Sequence, residues 1–250
     1  MNPKAVLAFS GGLDTSYCAV WLLEQGYDVH TVTVQTDSAG DELAAIEARA
    51  AQLGVASHKT IDARRELFDD YLRYLIYANA LRGDVYPLCV SAERVAQAKR
   101  TALYALELGA EALAHGSTGA GNDQIRFDVA FQVYAPQLRN FAPIREQALS
   151  REQETTYLNE RGIDVPAKTT TYSINRGLWG ITIGGGPTHK SDGVLPEDAY
   201  VLTRAPDARP KTPADVKIDF EQGVPVALNG EKMAPVPLID ALNDLGGEHG

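Results

Sequence analysis

Short apolar runs alternate with amphipathic stretches along the first 165 residues, and this alternation predicts an α/β domain. Lys4–Phe9 is apolar after its lysine, as in a strand buried on both faces. Asp28–Val34 is β-branched and predicts a second strand. Shorter strands are expected at 58–61 and 111–115. Helical patterns cover residues 15–25, 41–53, 64–81, 91–108 and 150–161. Because helices separate the strands, we expect parallel pairing.

A change of composition near Pro166 predicts a second, smaller unit. Nine of the 13 prolines lie at or after that position. Residues 184–237 are typical of turns, short strands and loops, and a helix-like run follows at 237–245. We therefore expect one domain over residues 1–165 and a second over residues 166–250.

Composition and charge exclude several classes of protein. The chain has 250 residues, of which 44% are hydrophobic, so it can bury a sizeable core. No stretch reaches the roughly 18 apolar residues that span a bilayer. The first apolar run, Ala5–Phe9, is too short for a signal peptide, and we expect a cytoplasmic protein without a membrane partner. A net charge of −10 argues against nonspecific nucleic-acid binding.

The two cysteines, Cys18 and Cys89, form no CxxC motif and lack the spacing of zinc ligands. They indicate neither a disulfide framework nor a structural metal site.

The densest motif, Ser10–Ser16 (SGGLDTS), follows the first strand and opens a helix. Two glycines let the backbone turn sharply, and the first helical turn offers N–H groups and a dipole that attract an anion. Hydroxyl groups of Ser10, Thr15 and Ser16 add donors. No lysine follows the glycines, so this is not a Walker A loop, and GxGxxG is also absent. The alternative is an ordinary strand–turn–helix with a capping residue.

A second cluster, His115–Phe127 (HGSTGAGNDQIRF), follows the end of the strand predicted at 111–115. In open parallel sheets, ligands bind beyond the carboxyl ends of the strands. Arg126 suits a carboxylate and Asp123 suits an ammonium, and an amino acid carries both groups. The alternative is a solvated loop that caps a helix at Asn122.

SGGLDTS resembles the PP-loop of ATP pyrophosphatases, and the motifs together resemble the argininosuccinate synthase family. The resemblance rests on these segments: AFSGGLDTS (8–16), EQGYDVHTVTV (24–34), HGSTGAGNDQIRF (115–127), YSINRGLWG (172–180), PEDAYVLT (196–203), FEQGVPVALNG (220–230) and LNDLGGEHG (242–250).

The resemblance implies a Rossmann-like parallel sheet of the PP-loop type with helices on both faces, plus part of a second α+β synthetase domain. It also implies that citrulline, aspartate and ATP form argininosuccinate, AMP and pyrophosphate through a citrullyl adenylate. Mg²⁺ would neutralise the pyrophosphate. Its ligands stay unassigned, with Asp14 as one possible carboxylate.

Individual positions take roles from the same resemblance. The ATP-binding positions are Ala8, Phe9, Ser10, Gly11, Gly12, Leu13, Asp14, Thr15, Ser16, Val34 and Gly116. The citrulline-binding positions are Tyr86, Ser91, Asn122, Arg126, Ser173 and Thr182. The aspartate-binding positions are Thr118, Asn122 and Asp123. The expected catalytic residues are Asp14, Asp123 and Arg126.

Members of the family are usually longer than this chain. Two further citrulline contacts and the helical arm that locks the family's tetramer are expected beyond Gly250, so a homo-oligomer is expected but its order is open. A truncated chain, a natural short form and a missing part supplied by another chain all fit the sequence. Two other functions stay open: a nucleotide- and amino-acid-binding protein without turnover, and a tRNA-thiolating enzyme, which the two cysteines and the acidic charge disfavour.

Overall fold

The computed structural model describes residues 2–38, 40, 42–165 and 172–250. The chain divides into two compact units, the first made of residues 1–63 and 91–167, the second of residues 64–90 and 168–250. The sequence pattern did not indicate that residues 64–90 group with the C-terminal part. The predicted boundary at residue 166 falls on residues 166–171, which lie outside the described residues.

The first unit is built on a five-stranded parallel sheet, as the alternating pattern predicts. The strands follow the order β3-β2-β1-β4-β5, and every pair is parallel. Its elements in chain order are β1 (Lys4–Ala8), α1 (Leu13–Glu24), β2 (Asp28–Gln35), α2 (Leu43–Gln52), β3 (Ser57–Asp62), α5 (Cys89–Leu108, in this unit from Ser91), β4 (Ala112–Ala114), α6 (Asp123–Tyr134), β5 (Arg139–Phe141), α7 (Pro143–Glu146) and α8 (Arg151–Asn159).

The central strand β1 is buried on both faces because its apolar side chains alternate between two cores. Ala5 and Leu7 pack in one core with side chains of α1, α2 and α8. Val6 packs in the other core with side chains of α5 and α6. All three residues are fully buried. Helices therefore cover both faces of the sheet, which confirms the predicted doubly covered α/β architecture.

Two elements beside the second cluster were not predicted from the apolar pattern, although the alternative given for that cluster, a loop that caps a helix at Asn122, matches the N-cap of helix α6. The strand β5 has only three residues, and two of them, Arg139 and Asn140, are polar. Helix α6 lacks a clear polar face because Ile125, Val129 and Val133 are exposed on it. A pattern that depends on polar–apolar contrast therefore misses both elements.

The second unit is an α+β arrangement of antiparallel strands and short helices. Strands β6 and β7 form a hairpin, and β8, β9 and β10 form a three-stranded sheet. Its elements are α3 (Arg64–Leu67), a π-helical segment (Phe68–Leu72), α4 (Arg73–Tyr77), β6 (Ser173–Gly177), β7 (Gly180–Gly184), 3₁₀ segments at Gly186–His189, Glu197–Ala199 and Pro206–Ala208, β8 (Ile218–Glu221), β9 (Val224–Leu228), β10 (Glu231–Lys232) and α9 (Pro235–His249).

Helix α9 is longer than the run predicted at 237–245. Its first residue is Pro235, a position where proline's missing N–H breaks no helical hydrogen bond. None of the helices in the described parts of the chain combines the length and apolarity needed to cross a bilayer.

A buried carboxyl group lies where α8 packs against α1. Glu154 is 1% exposed, and its Oε2 atom has no hydrogen-bond partner in the described structure. Burial first, and then the charge and hydrogen bond of Asp14, raise the pKa of Glu154 to about 7. Glu154 therefore holds its proton up to a pH near neutral.

We predict that Glu154→Gln stabilises the protein at pH 8 but changes its stability little at pH 5. Between pH 4.5, the ordinary pKa of a glutamate, and about pH 7, the folded state keeps the Glu154 proton, whereas the unfolded chain has lost it. Stability therefore falls as the pH rises through this interval. The neutral amide removes this pH-dependent destabilisation, which is worth at most about 3 kcal/mol and therefore at most roughly 6–12 °C in Tm.

Thermal unfolding of wild type, Glu154→Gln and the control Glu152→Gln at both pH values measures this effect. Glu152 lies on the same helix but is exposed. An equal shift of Tm at pH 5 and pH 8 in Glu154→Gln would show that Glu154 does not hold its proton in the folded protein.

Candidate active site

The candidate site lies where the strand order of the first unit reverses. From β1 the chain proceeds to β2 and β3 on one side of the sheet, and later to β4 and β5 on the other. At such a switch point the loops after neighbouring strands diverge and leave a crevice beyond their carboxyl ends. The loop after β1 and the loop after β4 therefore flank the same crevice. These are the two clusters that the sequence singles out.

The turn after β1 requires its glycines. Gly11 has a φ of +73°, and a Cβ atom there would lie 3.2 Å from Ile46 Cγ1. Gly12 is the N-cap of α1 and has extended backbone angles, with no side chain capping the helix. Among the described residues, no N-cap side chain accepts from the N–H groups of the first turn of α1, and an uncapped helix end of this kind can bind a phosphate.

The three hydroxyl groups of this loop occupy different environments. Ser10 is exposed, and its Oγ lies 3.2 Å from Thr15 Oγ1, which donates to Gly12 O at 3.3 Å. Ser16 is fully buried, and its Oγ accepts a hydrogen bond from Arg49 Nε at 3.1 Å. The Ser10 hydroxyl is therefore accessible to a ligand. The Ser16 hydroxyl instead links helix α1 to Arg49 of α2.

The loop after β4 comes into direct contact with the first turn of α1. A Cβ atom on Gly116 would lie 3.0 Å from Thr15 Cγ2 and 3.2 Å from the backbone nitrogen of Thr15. Only glycine fits this approach without displacing a neighbour. The structure thus brings the two predicted loops together at Gly116.

Three of the predicted substrate-binding residues meet at the start of α6. Arg126 donates to Asp123 Oδ1 at 2.5 Å through Nη1 and to Ser91 Oγ at 3.0 Å through Nη2. Arg94 on α5 donates to Asp123 Oδ2 at 3.2 Å. The sequence analysis did not predict Arg94, because α5 carries several polar residues and nothing in its pattern distinguishes this one. Asp123 is therefore held between two guanidinium groups, and together they form a polar cluster suited to a zwitterionic ligand.

The other predicted positions of the first unit differ in exposure. Thr118 and Asn122 are exposed, and Asn122 occupies the N-cap position of α6 without a side-chain capping bond. Phe9 and Val34 are buried, so only their backbone groups are available to a ligand. Ala8 and Leu13 are partly buried on either side of the glycine turn.

Three predicted citrulline-binding residues belong to the second unit. Tyr86 forms an isolated bridge with Arg82, and its hydroxyl oxygen accepts a contact from Cys89 Sγ at 3.8 Å. Thr182 lies on β7 opposite Asn175 of β6. Ser173 begins β6, and its side chain lies outside the described part of the structure.

A protein-only metal site is absent from the described residues, since no three His, Cys, Asp or Glu side chains cluster suitably. Asp14 is the carboxylate closest to the glycine turn in sequence. Its Oδ1 lies 3.6 Å from Arg151 Nη1, and it also contacts Glu154. A single partly exposed carboxylate matches the way Mg²⁺ usually binds, through one or two carboxylates and the phosphates of its substrate.

Both cysteines are buried. Burial, together with the negative charge of Asp14, raises the pKa of Cys18 well above its usual value. The Cys18 thiol therefore stays protonated and is a poor nucleophile.

Comparisons with known proteins agree with this geometry. The Arginosuccinate synthase N-terminal HUP domain matches residues 4–164, and the Arginosuccinate synthase C-terminal domain matches residues 172–250. The first match contains the whole switch-point site, and the second starts at Tyr172.

Relatives from distant organisms align with almost the whole chain. The argininosuccinate synthase of Methanocaldococcus jannaschii is 45% identical over 252 residues, covering 100% of this chain and 63% of that protein. Those of Pyrobaculum aerophilum and Streptococcus gordonii are 42% and 41% identical, and each is covered over 62% of its length. The chain thus spans a little under two thirds of the length of these relatives. With two domain matches in order and both loops in place at the switch point, the chain belongs to the argininosuccinate synthase family.

Proposed function

We propose that this chain carries the ATP-dependent ligation of citrulline and aspartate to argininosuccinate, with release of AMP and pyrophosphate. The observation that carries the proposal is the contact between Gly116 and Thr15. It brings the first turn of α1, which we assign to the phosphates, next to a loop that leads into the polar cluster of Ser91, Asp123 and Arg126. Family membership supports the same reaction, since the relatives compared above are argininosuccinate synthases.

In the first step, the ureido oxygen of citrulline attacks the α-phosphorus of ATP. The bond from that phosphorus to the oxygen bridging to the β-phosphorus breaks, and pyrophosphate leaves with the electron pair. The N–H groups of the first turn of α1 and the Ser10 hydroxyl are placed to stabilise the departing charge. Backbone groups near Val34 and Gly116 would hold the nucleoside end.

In the second step, the amine of aspartate attacks the ureido carbon of the citrullyl adenylate. The bond from that carbon to the AMP oxygen breaks, AMP leaves with the electron pair, and the proton lost by the attacking amine passes to solvent. We assign Thr118, Asn122 and Asp123 to aspartate, and Ser91, Asn122 and Arg126 to citrulline, with Tyr86, Ser173 and Thr182 as further citrulline contacts. The protein's contribution is to position the two reactants in line, which supplies much of the rate gain in such reactions.

Mg²⁺ entering with ATP would be held by the phosphates and by the Asp14 carboxylate. When bound, it would neutralise charge that develops on the pyrophosphate.

The two alternative functions receive no support from the site. tRNA thiolation requires a reactive thiol, and both cysteines of this chain are buried. A binding protein without turnover is not favoured either, because the glycine turn, Asp14, Asp123 and Arg126 are all present.

An assay of product release tests the proposal directly. With ATP and Mg²⁺ present, we expect pyrophosphate, AMP and argininosuccinate to form in equal amounts, and only when both citrulline and aspartate are added. Pyrophosphate release without either amino acid, or none with both, would contradict the assignment.

We predict that Gly116→Ala weakens ATP binding about tenfold or more. The new methyl group would lie 3.0 Å from Thr15 Cγ2 and 3.2 Å from Thr15 N, so the two loops must separate. Such overpacking costs roughly 1–3 kcal/mol. The matched control is Gly121→Ala in the same loop, where a Cβ atom meets nothing within 4 Å. Calorimetric titration with ATP measures both variants, and equal affinities would refute the proposed contact between loop and nucleotide.

We predict that Arg126→Lys raises the KM for citrulline roughly 10- to 100-fold and leaves the KM for ATP within about threefold of wild type. Lysine keeps the charge but loses the planar fork that contacts Asp123 and Ser91 at once. Arg139→Lys serves as the control, because Arg139 is exposed at the opposite end of its strand from the crevice. A raised KM for ATP with an unchanged KM for citrulline would move Arg126 to the nucleotide site.

A further inference from the structure

The loop of residues 116–121 carries the groups assigned to aspartate, yet it belongs to no helix or strand. Thr118 lies within it, and Asn122 and Asp123 follow it directly. A loop that must hold a nucleophile within a fraction of an ångström requires support from groups outside itself. Two chains of hydrogen bonds supply such support, and both start at Asp128.

The first chain runs through His115. The backbone N–H of Ser117 donates to His115 Nδ1 at 3.2 Å, and His115 Nε2 lies 3.0 Å from Asp128 Oδ1. A backbone N–H can only donate, so Nδ1 carries no proton, and Nε2 must be the donor to Asp128. His115 is 1% exposed and stacks on Phe127 with ring centroids 5.3 Å apart, so its ring cannot turn freely.

The second chain runs through Arg145 and Gln124. Arg145 Nη1 donates to Asp128 Oδ2 at 2.5 Å and to Gln124 Oε1 at 3.2 Å. Gln124 Nε2 in turn donates to the carbonyl oxygens of Gly119 at 2.8 Å and Gly121 at 3.1 Å. The near end of the loop is thus tied by His115 and the far end by Gln124.

Asp128 accepts a third donor, Asn140 Nδ2, at 2.6 Å. Burial opposes ionisation of Asp128, but the hydrogen bonds from His115, Arg145 and Asn140 outweigh it and hold its pKa well below the usual range. Both carboxylate oxygens are therefore acceptors at every pH of interest, and neither has to donate.

We propose that Asp128 is a positioning residue that holds loop 116–121 in place for the aspartate substrate through the Asp128 network, which comprises His115, Gln124, Asp128, Asn140 and Arg145. Asp128 itself does not touch the substrate in this proposal. The part concerning aspartate rests on the proposed function, whereas the support of the loop stands on the hydrogen bonds alone.

Asp128→Asn tests the network with almost no change of volume. The amide presents one oxygen and one NH₂ group, while donors face both positions of the carboxylate. In either orientation of the new amide side chain, its NH₂ group would face another hydrogen-bond donor. One of the two chains of hydrogen bonds is therefore lost. The control is Asp207→Asn, an identical exchange at an exposed position of the second unit.

Two measurements on the full chain decide the proposal. Hydrogen–deuterium exchange should become at least tenfold faster in a peptide covering residues 116–121 in Asp128→Asn, and should stay unchanged in peptides from β1 and β2 and throughout Asp207→Asn. Steady-state kinetics should show a KM for aspartate raised at least tenfold, with the KM for ATP within threefold of wild type.

Faster exchange confined to the loop, with the selective rise in the KM for aspartate, is the expected result. Unchanged exchange of the loop would overturn the proposal, as would faster exchange across the whole unit, because that reports a purely structural role. An unchanged KM for aspartate despite a loosened loop would also overturn it. If wild type forms no argininosuccinate, the proposed function fails, while the exchange measurement still decides whether Asp128 holds the loop.

Discussion

The candidate site depends on one close approach, that of the Gly116 backbone to Thr15 in the first turn of α1. Parallel pairing of β1 with β4 brings the two strand ends side by side, but their loops can touch only if no side chain stands between them. The helix end that we propose binds phosphate and the loop that we propose binds the amino acid then flank one crevice. The order of the strands decides which two loops meet, and a glycine decides how closely.

Helix α6 links this crevice to the rest of the first unit. Its first residue, Asp123, lies between the guanidinium groups of Arg94 and Arg126, so these three side chains carry one net positive charge within a protein whose net charge is −10. Five residues later on the same helix, the carboxylate of Asp128 accepts hydrogen bonds from His115, Asn140 and Arg145. One helix thus presents a carboxylate to the crevice and another to the network behind it. Both are held by charge-assisted hydrogen bonds, which are stronger and more directional than neutral ones.

The Asp14–Glu154 pair shows a different relation between fold and site. A buried carboxyl group without a partner for one of its oxygens weakens the fold once it ionises. Its neighbour, Asp14, lies in the first turn of α1, the helix that we propose binds the phosphates of ATP. Unfavourable burial of this kind is typical of functional sites, where groups are placed for chemistry and the surrounding core supplies the stability.

The sequence by itself determined the elements that depend on local chemistry. The apolar run of β1, the β-branched run of β2 and the glycines at 11 and 12 predict a buried strand, its neighbour and a phosphate-binding turn, because periodicity and backbone freedom are properties of neighbouring residues. Its motifs also identified Asp123, Arg126 and Gly116 as candidates.

Only the tertiary structure decided which distant residues act together. Nothing local joins Ser91 to Arg126, Arg94 to Asp123, or Asp128 to the loop at 116–121. The apolar pattern missed helix α6 and strand β5 because one has apolar residues on its outer face and the other is three residues long. These relations arise from the order of strands in the sheet and from helix packing on its faces. Both depend on burial of the whole core, which a short stretch of sequence does not determine.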